Sequence, residues 1–251
     1  MAERPMHTVP GLFDQLVALY AEGEAAMEEG RLEEAIAAFD EGISLDDHFR
    51  QRYVTMYAQR AFAKHRQGDY AGALADYTLA LTMGEPTNNR AQYEFHSGMC
   101  LAALDRAEDA VEAYARSIRL FADPPGPFHL GGKVLCMALD RPADALRWFD
   151  EFLLRADHSE VRQLRGWCLL QLGRAAEAVP DLERARDASG EPWTHYLLAW
   201  AAAVTGDVSG CLTAMRDTLA GDPSYRPYFL EHDDYAAARQ DPTFPEFVGE
   251  G

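Results

Sequence analysis

Apolar residues in this chain recur with helical rather than strand spacing. A small residue, an aliphatic neighbour and a bulky residue four places on from the small one appear six times: Ala35-Ile36 with Phe39, Ala73-Leu74 with Tyr77, Ala110-Val111 with Tyr114, Ala145-Leu146 with Phe149, Ala178-Val179 with Leu182 and Cys211-Leu212 with Met215. Spacings of i, i+1 and i+4 put each trio on one face of a helix. Five residues ahead of each small residue stands Gly30, Gly68, Asp105, Asp140, Gly173 or Gly206, at intervals of 38, 37, 35, 33 and 33 residues. Glycine adopts the left-handed conformation that ends a helix without strain, and aspartate tolerates it. Seven places before that turn residue comes another small residue in a second apolar stretch: Gly23, Ala61, Gly98, Gly166 and Ala199. In the fourth copy the same place falls on Lys133, with Gly131 and Gly132 beside it. The pattern predicts pairs of helices that cross closely at small residues, and a period near ~34 residues predicts stacked helical hairpins.

The segments EGEAAMEEGRLEEAIAAFDEGISLD over 22–46 and RQGDYAGALADYTLAL over 66–81 resemble the tetratricopeptide repeat (TPR) family. The resemblance extends over 16–225 and implies an all-α, right-handed superhelical solenoid of about six hairpins, near 16–49, 54–87, 91–124, 126–158, 159–191 and 192–225. Residues 1–15 are expected to be flexible, and 226–251 to form a short helical cap and tail. DDYAAARQDPTFPEFV at 233–248 resembles the closing cap of many bacterial TPR arrays, with Asp241 as N-cap and Pro242 in the first turn of a last short helix. The run Asp123-Pro124-Pro125-Gly126-Pro127 stops the second helix of the third hairpin and permits a local change of pitch.

Charge narrows the partners. A net charge of −18, from 41 acidic and 23 basic residues, argues against a nucleic-acid backbone or an anionic membrane surface. The N-terminus lacks a signal-peptide core and no stretch reaches the ~20 apolar residues of a membrane span, so a cytoplasmic location is expected. Two lysines against 21 arginines, with abundant alanine, suggest a GC-rich bacterial gene. Cys100, Cys136, Cys168 and Cys211 lack the close spacing of zinc or redox motifs and read as reduced core residues.

Chemistry is sparse. His65, His96, His129 and His195 belong to different hairpins, and no metalloprotease, nucleophile-elbow, phosphate-loop or dinucleotide motif occurs. The expectation is a protein that is not an enzyme and uses no cofactor or metal. The family resemblance implies that the first helix of each hairpin faces a concave groove. In the fourth hairpin the inward residues would be Pro127, Leu130, Val134 and Met137. None of the 24 inward positions so counted holds lysine, arginine or asparagine, which argues against a clamp for a peptide carboxylate. The lining looks apolar and aromatic. Tyr20, Phe62, Phe95, Met99, Trp167, Tyr196 and Trp200 are the expected anchors, with His65 and His96 as polar readers.

The resulting expectation is a protein- or peptide-binding adaptor whose partner brings apolar side chains. Two alternatives stand beside it: a receptor for a small hydrophobic ligand or signal peptide that alters superhelical pitch, and a structural homo-oligomer. A third arrangement would have the aromatic tail, which includes Tyr225, Tyr228, Phe229, Tyr235, Phe244 and Phe247, fill the groove or pack on the open end of the last hairpin.

Overall fold

A computed structural model describes residues 11–46, 54–83 and 87–244. The segment 1–10, Phe247 and the helix expected after Pro242 lie outside the described residues or run out of them. The chain divides into two compact units, 1–127 and 128–251. All regular structure among the described residues is helical.

The first unit holds α1 (Leu12–Glu28), α2 (Leu32–Asp46), α3 (Val54–Gln67), α4 (Tyr70–Thr82), α5 (Thr87–Ala103) and α6 (Ala107–Leu120). The second holds α7 (Gly126–Met137, which begins at the junction), α8 (Pro142–Leu153), α9 (Ser159–Gln171), α10 (Ala175–Ser189), α11 (Pro192–Thr205) and α12 (Val208–Gly221). It closes with the short helices α13 (Arg226–Glu231) and α14 (Ala236–Arg239). α1 opens at Leu12, ahead of residue 16 where the periodicity puts the first hairpin. Successive helices pair as antiparallel hairpins.

The six turn residues adopt the conformation their chemistry suggests. Gly30, Gly68, Gly173 and Gly206 have φ between 72° and 90°, while Asp105 and Asp140 sit at 57° and 51°. Asp69 and Asp207 then cap the following helices by accepting the backbone N–H of Gly72 and Gly210, each at 2.9 Å. Close crossing explains the small residues before the turns. A Cβ on Gly23 would stand 2.4 Å from the Phe39 ring, and one on Gly98 would stand 2.6 Å from Tyr114. Phe39, Tyr114 and Phe149 are buried as a result, each worth about 1.5–3 kcal/mol of apolar transfer.

The fourth hairpin departs from the expected register. Gly132, not Lys133, meets the bulky partner: its Cβ would fall 2.6 Å from Phe149. In the other five turns the first backbone N–H after the left-handed residue reaches back five residues, as Arg174 does to Leu169, but Arg141 reaches back six, to Leu135. One extra residue therefore lies between α7 and α8. The shift brings Lys133 rather than Val134 to the cleft, while Met137 still lines it and Cys136 is buried.

One buried carboxylate joins the hairpins in the interior of each unit. Asp76 of α4 accepts Arg60 Nε at 2.8 Å and Nη2 at 2.5 Å, together with Lys64 Nζ at 2.8 Å. Arg60 also reaches Asp40 of the preceding hairpin at 2.5 Å. In the second unit Asp181 of α10 binds Arg162 at 2.6 Å and Arg165, and Arg165 reaches back to Asp150 at 2.6 Å. Arg60 and Arg165 stand at equivalent repeat positions, so the same lattice occurs twice.

The described part of the tail packs on the last hairpin. Phe229 and Tyr235 are buried with Cys211 and Met215, and Phe244 joins them. Arg239 donates to the carbonyls of Phe229 at 3.0 Å and His232 at 2.7 Å, tying the short helices together. The four cysteines are buried and free, and burial pushes the Cys100 thiol up to about 11 and the Cys211 thiol up to about 12.

Candidate functional site: two interaction clefts

Each unit carries a cleft lined largely by first helices among the described residues. In the first unit, α1, α3 and α5 contribute Tyr20, Gln59, Phe62 and His96, with Tyr77 of α4 behind them, around about 270 Å3. Tyr20 Oη donates to Glu24 Oε1 at 2.8 Å, and Gln59 Nε2 donates to the same Oε1 at 3.1 Å and to Tyr20 Oη at 3.2 Å. This triangle holds the Tyr20 ring at the cleft wall. Burial raises the Tyr20 phenol above its ordinary pKa.

His96 lies flat on Tyr77, with ring centroids 5.6 Å apart and planes 12° from parallel, and meets the edge of Phe62 at 5.7 Å. Burial, reinforced by the nearby His65, drives its pKa down to about 4, so the imidazole is neutral near pH 7. Its Nδ1 and the Tyr77 hydroxyl are enclosed without hydrogen-bond partners among the described residues. His65 stands edge-on to Tyr70 at 5.4 Å, and burial lowers its pKa too. Asn89, Gln92 and Thr55 also line this cleft. The lining is uncharged, with amides and a hydroxyl among the rings.

The second unit's cleft, about 420 Å3, is ionic. Lys133 Nζ lies 2.6 Å from Glu160 Oε1, and His129 Nε2 lies 3.4 Å from Glu160 Oε2. The Lys133 ammonium holds the Glu160 carboxyl below its usual range, while burial lowers His129 against the opposing pull of Glu160. Gln163 donates to Thr194 at 2.5 Å in a buried pair, which fixes the cleft floor between α9 and α11. Trp193 and Glu191 form the opposite wall. A lysine thus stands on the inward face after all, because of the extra residue before α8. Paired one-to-one with Glu160, it does not make a carboxylate clamp.

The other nominated residues divide. Phe95 packs on Tyr114, with ring centroids 5.9 Å apart, and Met99 is half-buried; neither lines a cleft. Trp167 meets Trp193 edge-on at 6.0 Å and braces it. Tyr196 is covered by Tyr225 at 5.1 Å and Phe229 at 5.8 Å, and the Trp200 indole donates to Asp234 at 2.8 Å. The closing segment covers the Tyr196 ring and engages the indole nitrogen of Trp200. Sequence reasoning missed Gln59, Tyr77, His129, Lys133 and Glu191. The Gly131-Gly132 doublet was the signal for the register change. Among the described residues no cluster of His, Cys, Asp or Glu is arranged to hold a metal ion, and no helix is long and apolar enough to cross a membrane.

Comparison with known proteins places this geometry. The Iml2/Tetratricopeptide repeat protein 39 family model matches residues 15–129, and a tetratricopeptide repeat model matches 137–192. Mouse Tetratricopeptide repeat protein 36 is 34% identical over 104 residues, covering 41% of this chain and 54% of that relative's length. The chain thus aligns with only about half of that curated relative. Among solved structures, YrrB, described as a TPR protein with an unusual peptide-binding site, superposes with a TM-score of 0.66 at 18% identity over 81% of this chain and 98% of its own. Pseudomonas aeruginosa pilF gives 0.64 at 16% identity over 91% and 98%. At these identities the structural likeness is one of fold. Models for the same repeat on both sides of residue 130, joined to the hairpin geometry, give one answer: the chain belongs to the tetratricopeptide repeat proteins.

Proposed function

We propose that this chain is a non-enzymatic adaptor that holds segments of other proteins in the clefts of its first helices. The observation that carries the reading is the first cleft, where equivalent faces of α1, α3 and α5 converge on Tyr20, Phe62 and His96, with amide side chains between the rings. Aromatic faces supply apolar contact, and Gln59, Asn89 and Gln92 offer donors and acceptors suited to a peptide backbone. YrrB's peptide-binding site, on the same fold, supports the reading. The polar lining makes a lipidic small molecule a poorer occupant, since its chain would desolvate amides without replacing their hydrogen bonds.

The test begins with affinity capture from the native host, then isothermal titration of the captured partner's binding segment. Phe62→Ala removes a central aromatic contact and should weaken binding about tenfold or more while leaving the circular dichroism unchanged. Undiminished affinity in Phe62→Ala and in Gln59→Ala would remove the first cleft from the function.

A further inference from the structure

Cys136 of α7 and Cys168 of α9 lie nearly one repeat apart in sequence and meet in the interior of the second unit. The Cys168 thiol donates a hydrogen bond to the Cys136 sulfur, and Cys136 Sγ donates in turn to the Lys133 carbonyl at 3.4 Å. Two sulfurs are thus held together between neighbouring first helices. Their settings differ. The hydrogen bond from Cys168 favours the Cys136 thiolate against the opposing effect of burial, and the Lys133 ammonium adds to it, so this thiol falls below its ordinary pKa. The same bond, together with burial, raises Cys168. Cys100 lies in the other unit and Cys211 on α12, where burial dominates and raises both thiols. Cys136 is 2% exposed, but Lys133 and Met137, on either side of it in α7, line the second cleft, so the sulfur sits just behind the cleft wall.

We propose that Cys136 and Cys168 are a modification site, where hydrogen peroxide makes a reversible disulfide that staples α7 to α9 behind the second cleft. Cys136 is the attacking thiol. Its sulfur takes one peroxide oxygen as the O–O bond breaks, and the other oxygen leaves as water with the proton that the thiol gives up, which makes Cys136 a sulfenic acid. The Cys168 sulfur then attacks the Cys136 sulfur, the S–O bond breaks, and the hydroxyl departs as water with the Cys168 proton. The thiol pair is oxidised by two electrons and one peroxide is reduced to two waters. The staple ties the helix that carries Lys133 to the helix that carries Glu160 and Gln163, so it fixes the separation of two cleft walls. Proteins kept in a reducing compartment use disulfides of this transient kind rather than permanent ones.

The test treats the folded full chain with hydrogen peroxide, removes the excess with catalase, blocks the remaining thiols with iodoacetamide during unfolding and maps tryptic fragments without reductant by mass spectrometry. Fragment 134–147 should appear joined to fragment 166–174 at a yield about tenfold above any link that includes Cys100 or Cys211, and dithiothreitol should separate the two. Cys168→Ser should abolish the link and leave Cys136 as a sulfenic acid that dimedone captures, because the resolving thiol is gone. In Cys136→Ser, Cys168 should remain a thiol. Absence of the joined fragments from the folded chain, equal oxidation of all four cysteines, or dimedone capture at Cys168 rather than Cys136 each overturns the proposal. The joined fragments are read on the unsubstituted chain, so the outcome stands even where a serine variant fails to fold.

Discussion

The two clefts are built on the same frame and offer opposite chemistry. The residue immediately after the small crossing position is Phe62 in one and Lys133 in the other. Behind both, the helices cross on a small residue, turn through a left-handed one and share the Arg–Asp lattice of Asp76 or Asp181. Packing thus constrains one set of repeat positions and leaves the adjacent set free to vary. The first unit presents neutral rings and amides, and the second presents the Lys133–Glu160 ion pair facing Glu191 and Trp193. Recognition can diverge between hairpins while the crossing geometry stays constant.

The shared frame is most severely tested by its buried carboxylates. Asp76 and Asp181 are 3% and 5% exposed, so Asp76→Ala or Asp181→Ala strips two poorly solvated cations of their buried acceptor, leaving Lys64 without one and Arg60, Arg162 and Arg165 with only the more exposed Asp40, Asp157 and Asp150. Each should cost about 3–5 kcal/mol in urea unfolding. Comparable losses in the two units support a common skeleton; a near-neutral result in one breaks the equivalence.

Acid should separate the units next. His96 has a folded pKa near 4, below its value in an unfolded chain, so the unfolded state binds the extra proton first. The first unit therefore keeps the full contribution of neutral His96 above about pH 6.5 and loses it progressively toward pH 4, by on the order of 2 kcal/mol after allowance for partial exposure. His96→Phe, which preserves stacking on Tyr77, should flatten stability across that window. In the second unit the depressed Glu160 carboxyl contributes stability above its unfolded pKa and yields it only as pH falls through the lower folded value. A pH profile of Glu160→Gln matching the native one in the acid range would contradict this.

The smallest effect belongs to Lys133→Met. Lys133 and Glu160 side chains are 43% and 38% exposed, so losing their ion pair should cost less than about 1 kcal/mol in urea unfolding. A loss as large as that of Asp181→Ala would make the pair part of the skeleton rather than part of the cleft.

Much of the skeleton is legible in the sequence because it depends on steric rules local to a few residues. Gly23, Gly98 and Gly166 announce close crossings, and Gly30 or Asp105 announces a turn, whatever surrounds them. The candidate site was less legible. Moving one residue along a helix swings a side chain by about 100°, so the extra residue before α8 was enough to replace Val134 with Lys133 on the inward face. Tyr196 and Trp200 have the right spacing for groove residues, but long-range contacts with Tyr225, Phe229 and Asp234 decide their exposure. The ion lattice left a trace that periodicity of apolar residues overlooks: Arg60 with Asp76, and Arg165 with Asp181, are each sixteen residues apart.

The short helices after α12 bear on how such a chain can change in length over evolution. Their aromatic side chains already fill the surface against which another hairpin would stack, with Phe229 and Tyr235 fully enclosed. Tandem duplication beyond residue 221 would have to evict them and strip Tyr196 and Trp200 of cover. Copies added upstream of α11 meet no such obstacle, so lengthened descendants of this protein should have gained their hairpins internally and kept the same closing helices.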